Sequence, residues 1–275
     1  MMNRKHLQNL SQLEFARQLS RVENFAIDMD GTIYLGNKLF RYTKEFLRGI
    51  SALGKKFIFI TNNSSQNASN YVDKLFQMGI EIDDESIYTS GDATIDYLNS
   101  TAPGSKIFLM GTPDLAEDFE SKGFSLVDSN PDYVVLGFDK TFNYEKFNKG
   151  CRFIRKGTPF IATHPDLNCP VEDGDMIPDC GALSAAFTAA TGIRPKVIGK
   201  PNREMLEGLI SRLNTTKEAL CLIGDRLMTD ISMGKAFDIL TCLVLTGEAE
   251  LGDLQGIQNK PDFILENTRE LLEYF

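Results

Sequence analysis

Histidine is nearly missing from this chain. His6 and His164 are the only two among 275 residues, too few imidazoles for a multi-histidine zinc centre. A Ser-His-Asp triad would have to run through His164, and no Gly-x-Ser-x-Gly elbow accompanies it. The five cysteines, Cys151, Cys169, Cys180, Cys221 and Cys242, form no C-x-x-C pair. Their odd number and apolar settings, as over 219–223, point to reduced thiols acting as small core residues. No stretch reaches the ~20 apolar residues of a membrane span. Behind Arg4 and Lys5 there is no unbroken apolar run of the kind a signal peptide has. No membrane partner is expected, and a cytoplasmic location is. Basic residues are also the minority: 29 Lys and Arg against 38 Asp and Glu give a formal net charge of -9. Such a chain repels polyphosphate, which excludes a nucleic-acid polymer as partner.

What is present is an ordinary globular composition, 42% hydrophobic and 24% charged. Its length favours two domains, since single cores stop growing above ~250 residues. Leu7, Leu10, Leu13, Phe15 and Leu19 are interspersed with polar residues and predict an amphipathic helix docked on the surface of a domain. From Asn24 onward, short apolar runs alternate with amphipathic stretches. Strands are expected over 25–27, 56–61, 87–89, 106–110, 133–136, 159–162, 219–223, 240–245 and 263–265. Helices are expected over 43–53, 67–78, 92–99, 113–122, 144–155, 182–191, 203–213, 230–237 and 268–274. This alternation implies an α/β protein with a parallel sheet covered on both faces.

Four stretches carry chemistry, each just past an apolar strand or at its end. The first is Asp28-Met29-Asp30-Gly31-Thr32, two carboxylates beside a glycine that permits a sharp turn. Ligands of open parallel sheets bind beyond the carboxyl ends of strands, although Asp-Gly-Thr is also good loop chemistry. The second is Thr61-Asn62-Asn63-Ser64, whose hydroxyls, amides and backbone N–H groups could receive an oxyanion; Asn and Ser also begin helices. In the third, Gly199-Lys200-Pro201, a lysine between glycine and proline is either a fixed cation or a surface side chain. The fourth, Gly224-Asp225-Arg226-Leu227-Met228-Thr229-Asp230, brings two further carboxylates to a strand end. Four aspartates gathered at one place would repel one another, raising their pKa values. A divalent cation relieves that, and oxygen donors without thiolates favour magnesium.

Taken in order, these stretches resemble the signature of the haloacid dehalogenase superfamily over nearly the whole chain from residue 24. The Thr-Asn-Asn-Ser form, followed by about a hundred residues before Gly199-Lys200-Pro201, is similar to the type-two-cap branch. That branch holds the p-nitrophenyl phosphatases and the nucleotide- or sugar-phosphate phosphatases named after the N-acetylglucosamine operon. The resemblance implies a doubly wound, Rossmann-like parallel sheet core over 24–100 and 196–275, a helical extension over 1–23 and an inserted α/β cap over 101–195. It implies a magnesium-dependent hydrolase of small phosphomonoesters working through an aspartyl-phosphate, and it leaves a homodimer through the cap open. Asp28 would be the nucleophile, and Asp30 the acid that protonates the leaving oxygen and then the base that activates water. Thr61 and Asn62, with Asn63 beside them, would bind the phosphoryl oxygens. Lys200 would neutralise both Asp28 and the phosphate. Asp28, the Asp30 carbonyl and Asp225 would hold the ion, with Asp230 in support. An acid at position 30 favours phosphate over halide chemistry, because a halide leaves without a proton. A phosphotransferase or mutase acting on sugar phosphates is the alternative.

The segment from Ala162 to Gly181 resembles the substrate-specificity region of such caps. His164 is either a substrate contact or a satisfied structural histidine. Asp166, Glu172, Asp173, Asp175 and Asp179 stand there with no Lys or Arg between the first and the last. Facing a site, they would disfavour leaving groups with extra negative charge; facing solvent, they would do nothing of the kind.

Overall fold

The computed structural model describes residues 7–171 and 175–275. Arg4, Lys5, His6, Glu172 and Asp173 lie outside the described residues. The chain forms two compact units. One comprises Met1–Ile60, Val72–Ile87 and Leu209–Phe275, the other Thr61–Tyr71 and Tyr88–Gly208.

The sheet of the first unit is built on strands that are apolar on both faces. Asn24–Asp28, Leu220–Gly224 and Leu240–Val244 are buried at every position, the pattern of a parallel sheet covered on both sides. Its six strands run in the order 263–265, 240–244, 220–224, 24–28, 56–61, 87–89, and the four pairings from Phe263 to Thr61 are parallel. Asn24–Asp28 and Leu220–Gly224 lie side by side, and the chain winds away from them in opposite directions. Their shared carboxyl end is the topological switch point, where doubly wound sheets bind ligands. The N-terminal helix is Gln12–Leu19, started by a capping box between Ser11 and Glu14. It is docked by Phe15 and Leu19, which are fully buried, with Phe15 stacked on Phe263 at a centroid distance of 4.1 Å. Leu7 and Leu10 precede the helix and Leu13 is 83% exposed, so the apolar face is narrower than expected.

In the second unit a five-stranded sheet has the order 196–197, 160–162, 133–136, 106–110, 125–126, parallel throughout. Phe108, Met110, Val134, Leu136, Phe160 and Phe187 form its core. Each such side chain contributes roughly 1.5–3 kcal/mol when fully buried. The helix Cys180–Thr191 is started by Asp179, whose carboxylate accepts from the Cys180 N–H at 2.6 Å.

Several elements differ from expectation. The pairs Tyr34–Leu35 with Lys38–Leu39 and Asn168–Pro170 with Met176–Pro178 are antiparallel hairpins, too short to leave a period in the sequence. Thr268–Tyr274 is a 3-10 helix. The helix expected from 230 begins instead as a π-helical turn, Leu227–Ile231, before the short helix Ser232–Ala236. The Ile231 N–H reaches back to the Arg226 carbonyl at 3.2 Å, and Asp230 is fully buried within the turn. All five cysteines are unbridged, and four are buried; Cys169 is half-exposed.

Candidate active site

In the first unit the carboxyl ends of the two central strands deliver acids to one place. Asp28 ends one strand and Asp225 follows the other, while the π-helical turn returns Asp230 to them. Oxygens of Asp28, Asp225 and Asp230 lie within 4.8 Å of one another, all three residues being buried. The Asp225 carboxylate is held on both sides. Its Oδ1 accepts from Thr32 Oγ1 at 3.0 Å and its Oδ2 from the Glu248 N–H at 2.7 Å. Burial, followed by the neighbouring charge of Asp230, pushes Asp225 up to about 6. Gly31, Gly224 and Gly247 border the cluster where a Cβ would collide with Asp225 or Asp230. A Cβ on Gly31, at φ +87°, would stand 2.4 Å from Asp225 Oδ2. Clustered, all-oxygen donors of this kind suit a hard divalent cation.

Asp30 stands on the turn that begins at Met29, whose carbonyl accepts from the N–H groups of Thr32 and Ile33. Burial raises its pKa; Lys74, the Gly36 N–H and Arg226 oppose that rise without cancelling it. A carboxyl that keeps its proton to higher pH than usual suits an acid and base.

In the second unit the ends of three chain segments are knitted together. Thr61 closes the strand Lys56–Thr61, in which Ile60 stands opposite Asp28. Its Oγ1 accepts from the Asn63 N–H at 3.1 Å, while Asn63 Oδ1 accepts from the N–H and hydroxyl of Ser65, both at 2.8 Å. Asn62 is buried with its carboxamide turned to Lys200. Oδ1 accepts from the Lys200 N–H at 2.8 Å, and Nδ2 donates to the Lys200 carbonyl at 3.0 Å. Nδ2 also meets the Asp166 carboxylate at 3.2 and 3.3 Å. Lys200 is 2% exposed, so the surface-lysine alternative is ruled out.

His164 is 0% exposed and both its ring nitrogens are occupied. Nε2 lies 2.8 Å from Asp179 Oδ1, and Nδ1 lies 2.9 Å from Thr163 Oγ1 and 3.3 Å from Ser90 Oγ. It is the satisfied structural histidine. His164, Asp166 and Asp179 also offer three donor atoms within 4.8 Å of one another, but His164 and Asp179 are spent on each other. Of the acids in the segment, Asp179 is buried on His164 and Asp166 is held by Asn62, while Asp175 is exposed.

Thr246, Gly247 and Glu248 lie outside the four stretches, and Thr32 stands in the first of them without a role of its own. Thr246 Oγ1 donates to the Gly31 carbonyl at 2.6 Å, and a Cβ on Gly247 would stand 1.9 Å from Asp225 Oδ2. The signal was available: Thr246-Gly247-Glu248 follows the apolar strand Leu240–Val244, in the same sheet as the strands that precede Asp28-Met29-Asp30 and Gly224-Asp225.

Comparison with known proteins gives the family. A family model described as haloacid dehalogenase-like hydrolase matches residues 25–125, and an HAD-hydrolase-like model matches 197–271. The 5'-nucleotidase YutF of Bacillus subtilis is 31% identical over 92% of this chain and 98% of its own. An acid sugar phosphatase of Staphylococcus aureus is 30% identical over 92% and 98%. The crystal structure of a 4-nitrophenylphosphatase from Thermotoga maritima superposes with a TM-score of 0.90 at 44% identity, over 93% of this chain and 98% of that one. The chain belongs to the haloacid dehalogenase-like hydrolases. Within them it falls in the NagD-like branch, an α/β core with an inserted cap, and it is a phosphomonoester hydrolase. Among the described residues no helix is long and apolar enough to cross a membrane.

Proposed function

We propose that the protein hydrolyses small phosphomonoesters through an aspartyl-phosphate formed on Asp28, with magnesium as its cofactor. The observation that carries this is the buried cluster of Asp28, Asp225 and Asp230, whose mutual repulsion calls for a cation. Asp28, Asp225 and the Asp30 carbonyl would hold the ion, supported by Asp230. When bound, it would supply positive charge to a phosphoryl group whose transfer depends mainly on positioning and charge stabilisation.

The Asp28 carboxylate attacks phosphorus while the ester oxygen leaves with the proton of Asp30. Asp30, now a base, takes a proton from water. The water oxygen displaces Asp28 from phosphorus, releasing phosphate and restoring both carboxyl groups. Thr61 and Asn62 would hydrogen-bond the phosphoryl oxygens, Asn62 through its main chain because its carboxamide is committed elsewhere. Lys200 would neutralise phosphate and nucleophile together.

For substrate, we infer neutral, hydroxylated or aromatic leaving groups: sugar or polyol phosphates, nucleoside monophosphates and p-nitrophenyl phosphate. The names of the relatives support these classes. The test is release of phosphate by purified protein, with and without magnesium. Asp28→Asn abolishes it and Asp30→Asn stalls turnover; a wild-type rate for Asp28→Asn removes the mechanism. Bisphosphates or phosphoglycolate as best substrates would refute the preference.

A further inference from the structure

Asn62 makes an unusual use of its side chain. One carboxamide satisfies both backbone groups of one residue: Oδ1 takes the Lys200 N–H at 2.8 Å, and Nδ2 gives to the Lys200 carbonyl at 3.0 Å. The orientation of the amide is not arbitrary. An N–H demands an acceptor, whereas a carbonyl and the Asp166 carboxylate demand donors, so three partners agree on which end is nitrogen. The lysine is thereby fixed at its main chain, and Asp166 fixes the amide that fixes it.

The surroundings are shaped to allow this. A Cβ on Gly199 would stand 2.7 Å from Asn62 Oδ1, 2.7 Å from the Thr163 carbonyl and 2.8 Å from His164 Cβ. Glycine before Lys200 therefore lets the carboxamide approach the following peptide. The Gly199 N–H donates to the Thr163 carbonyl at 2.6 Å, and the Asn62 carbonyl accepts from Ser90 Oγ. The backbone on both sides of the clamp is pinned, so removing the carboxamide frees Lys200 more than it frees its neighbours.

We propose that Asn62 is a positioning residue for Lys200, with Asp166 orienting its amide, rather than a residue whose side chain binds phosphate. This rests on the assignment of Lys200 as the cation of the phosphatase site. A lysine on a four-carbon stem carries large rotational freedom, and misplacing a catalytic group by ~1 Å can cost roughly 10²-fold in rate.

The experiment is a double-mutant cycle on p-nitrophenyl phosphate hydrolysis with magnesium, in the full chain. In the wild-type background Asn62→Ala lowers kcat/KM by about 10²-fold. In a Lys200→Ala background the same change costs less than about threefold, because the residue acts only through the lysine. If turnover of Lys200→Ala falls below detection, orthovanadate affinity by calorimetry reads the same cycle. Equal losses in both backgrounds, or no loss in wild type, overturn the proposal. An unimpaired Lys200→Ala instead overturns the role of Lys200, which is a different failure. Should Asn62→Ala not fold, Asn62→Asp keeps the acceptor for the Lys200 N–H but sets a carboxylate against Asp166 and the Lys200 carbonyl. Adding Asp166→Asn then restores a donor–acceptor pair and recovers at least about tenfold of the lost rate; no recovery overturns the role of Asp166 as the orienting group.

Discussion

Gly31 lies against the Asp225 carboxylate so closely that a methyl group there would stand 2.4 Å from Oδ2. Two effects are combined at this position, and they separate experimentally. Gly54 also has positive φ, at +72°, but nothing lies within 4 Å of a Cβ built on it. Gly54→Ala therefore shows the backbone cost alone, about 1–2 kcal/mol. Gly31→Ala adds displacement of Asp225, so its loss in urea denaturation exceeds that of Gly54→Ala by at least about 1 kcal/mol. It also raises the magnesium concentration needed for half-maximal activity, which Gly54→Ala leaves unchanged.

On the proposed magnesium assignment, Asp225 links metal binding to pH. Its carboxyl is raised from the ordinary 3.8 to about 6 by burial first and Asp230 second. A carboxyl raised on folding is most stabilising when protonated. Metal-free stability therefore falls as pH rises from about 4 through about 6, by up to about 3 kcal/mol. Magnesium must displace that proton, so its apparent affinity drops roughly tenfold per pH unit below 6. Melting curves from pH 4 to 8, with and without magnesium, should diverge as pH rises, and Asp225→Asn should flatten the metal-free dependence.

His164→Ala removes the buried partner of Asp179 while leaving that carboxylate inside. The expected loss is about 1–3 kcal/mol of stability for a buried group left short of a partner, with a further cost for the cavity. The KM for p-nitrophenyl phosphate measured below the melting transition should stay within about threefold. A large KM change in a folded variant would make His164 a substrate contact after all.

The thiols differ in reactivity. Burial pushes Cys180 up to about 12, and it raises Cys242, with a further contribution from Cys221, whose sulfur is 3.7 Å away. Buried, protonated thiols are inert. Titration of the native protein with an aromatic disulfide reagent should show one fast thiol, Cys169, and four that react only on unfolding.

The ends of the strands that deliver Asp28, Thr61 and Asp225 were legible in the sequence because each is a continuous apolar run with a motif at or just past its end. Lys200 follows only the two-residue strand Lys196–Val197, half of it exposed, which leaves no such run. What escaped was chemistry carried by the backbone. Glu248 holds Asp225 through its N–H, and an amide donor leaves no trace in residue type. The commitment of Asn62 to Lys200 was equally hidden, since 138 residues separate the two and nothing local to Thr61-Asn62-Asn63 announces the partner. The π-helical turn Leu227–Ile231 starts three residues before the helix expected from 230, because a five-residue turn is too short to leave a period in the sequence.

The strand carrying Asp28 has its neighbour, Leu220–Gly224, almost two hundred residues further on. During synthesis the whole stretch Tyr88–Gly208, with its own parallel sheet, leaves the ribosome before that neighbour exists. Chains generally acquire structure by units as they emerge, so the second unit is complete while the first still waits for its middle strand. The acidic cluster thus assembles late in translation, and a truncated product ending before Leu220 would keep Asp28 but lack both acids that join it.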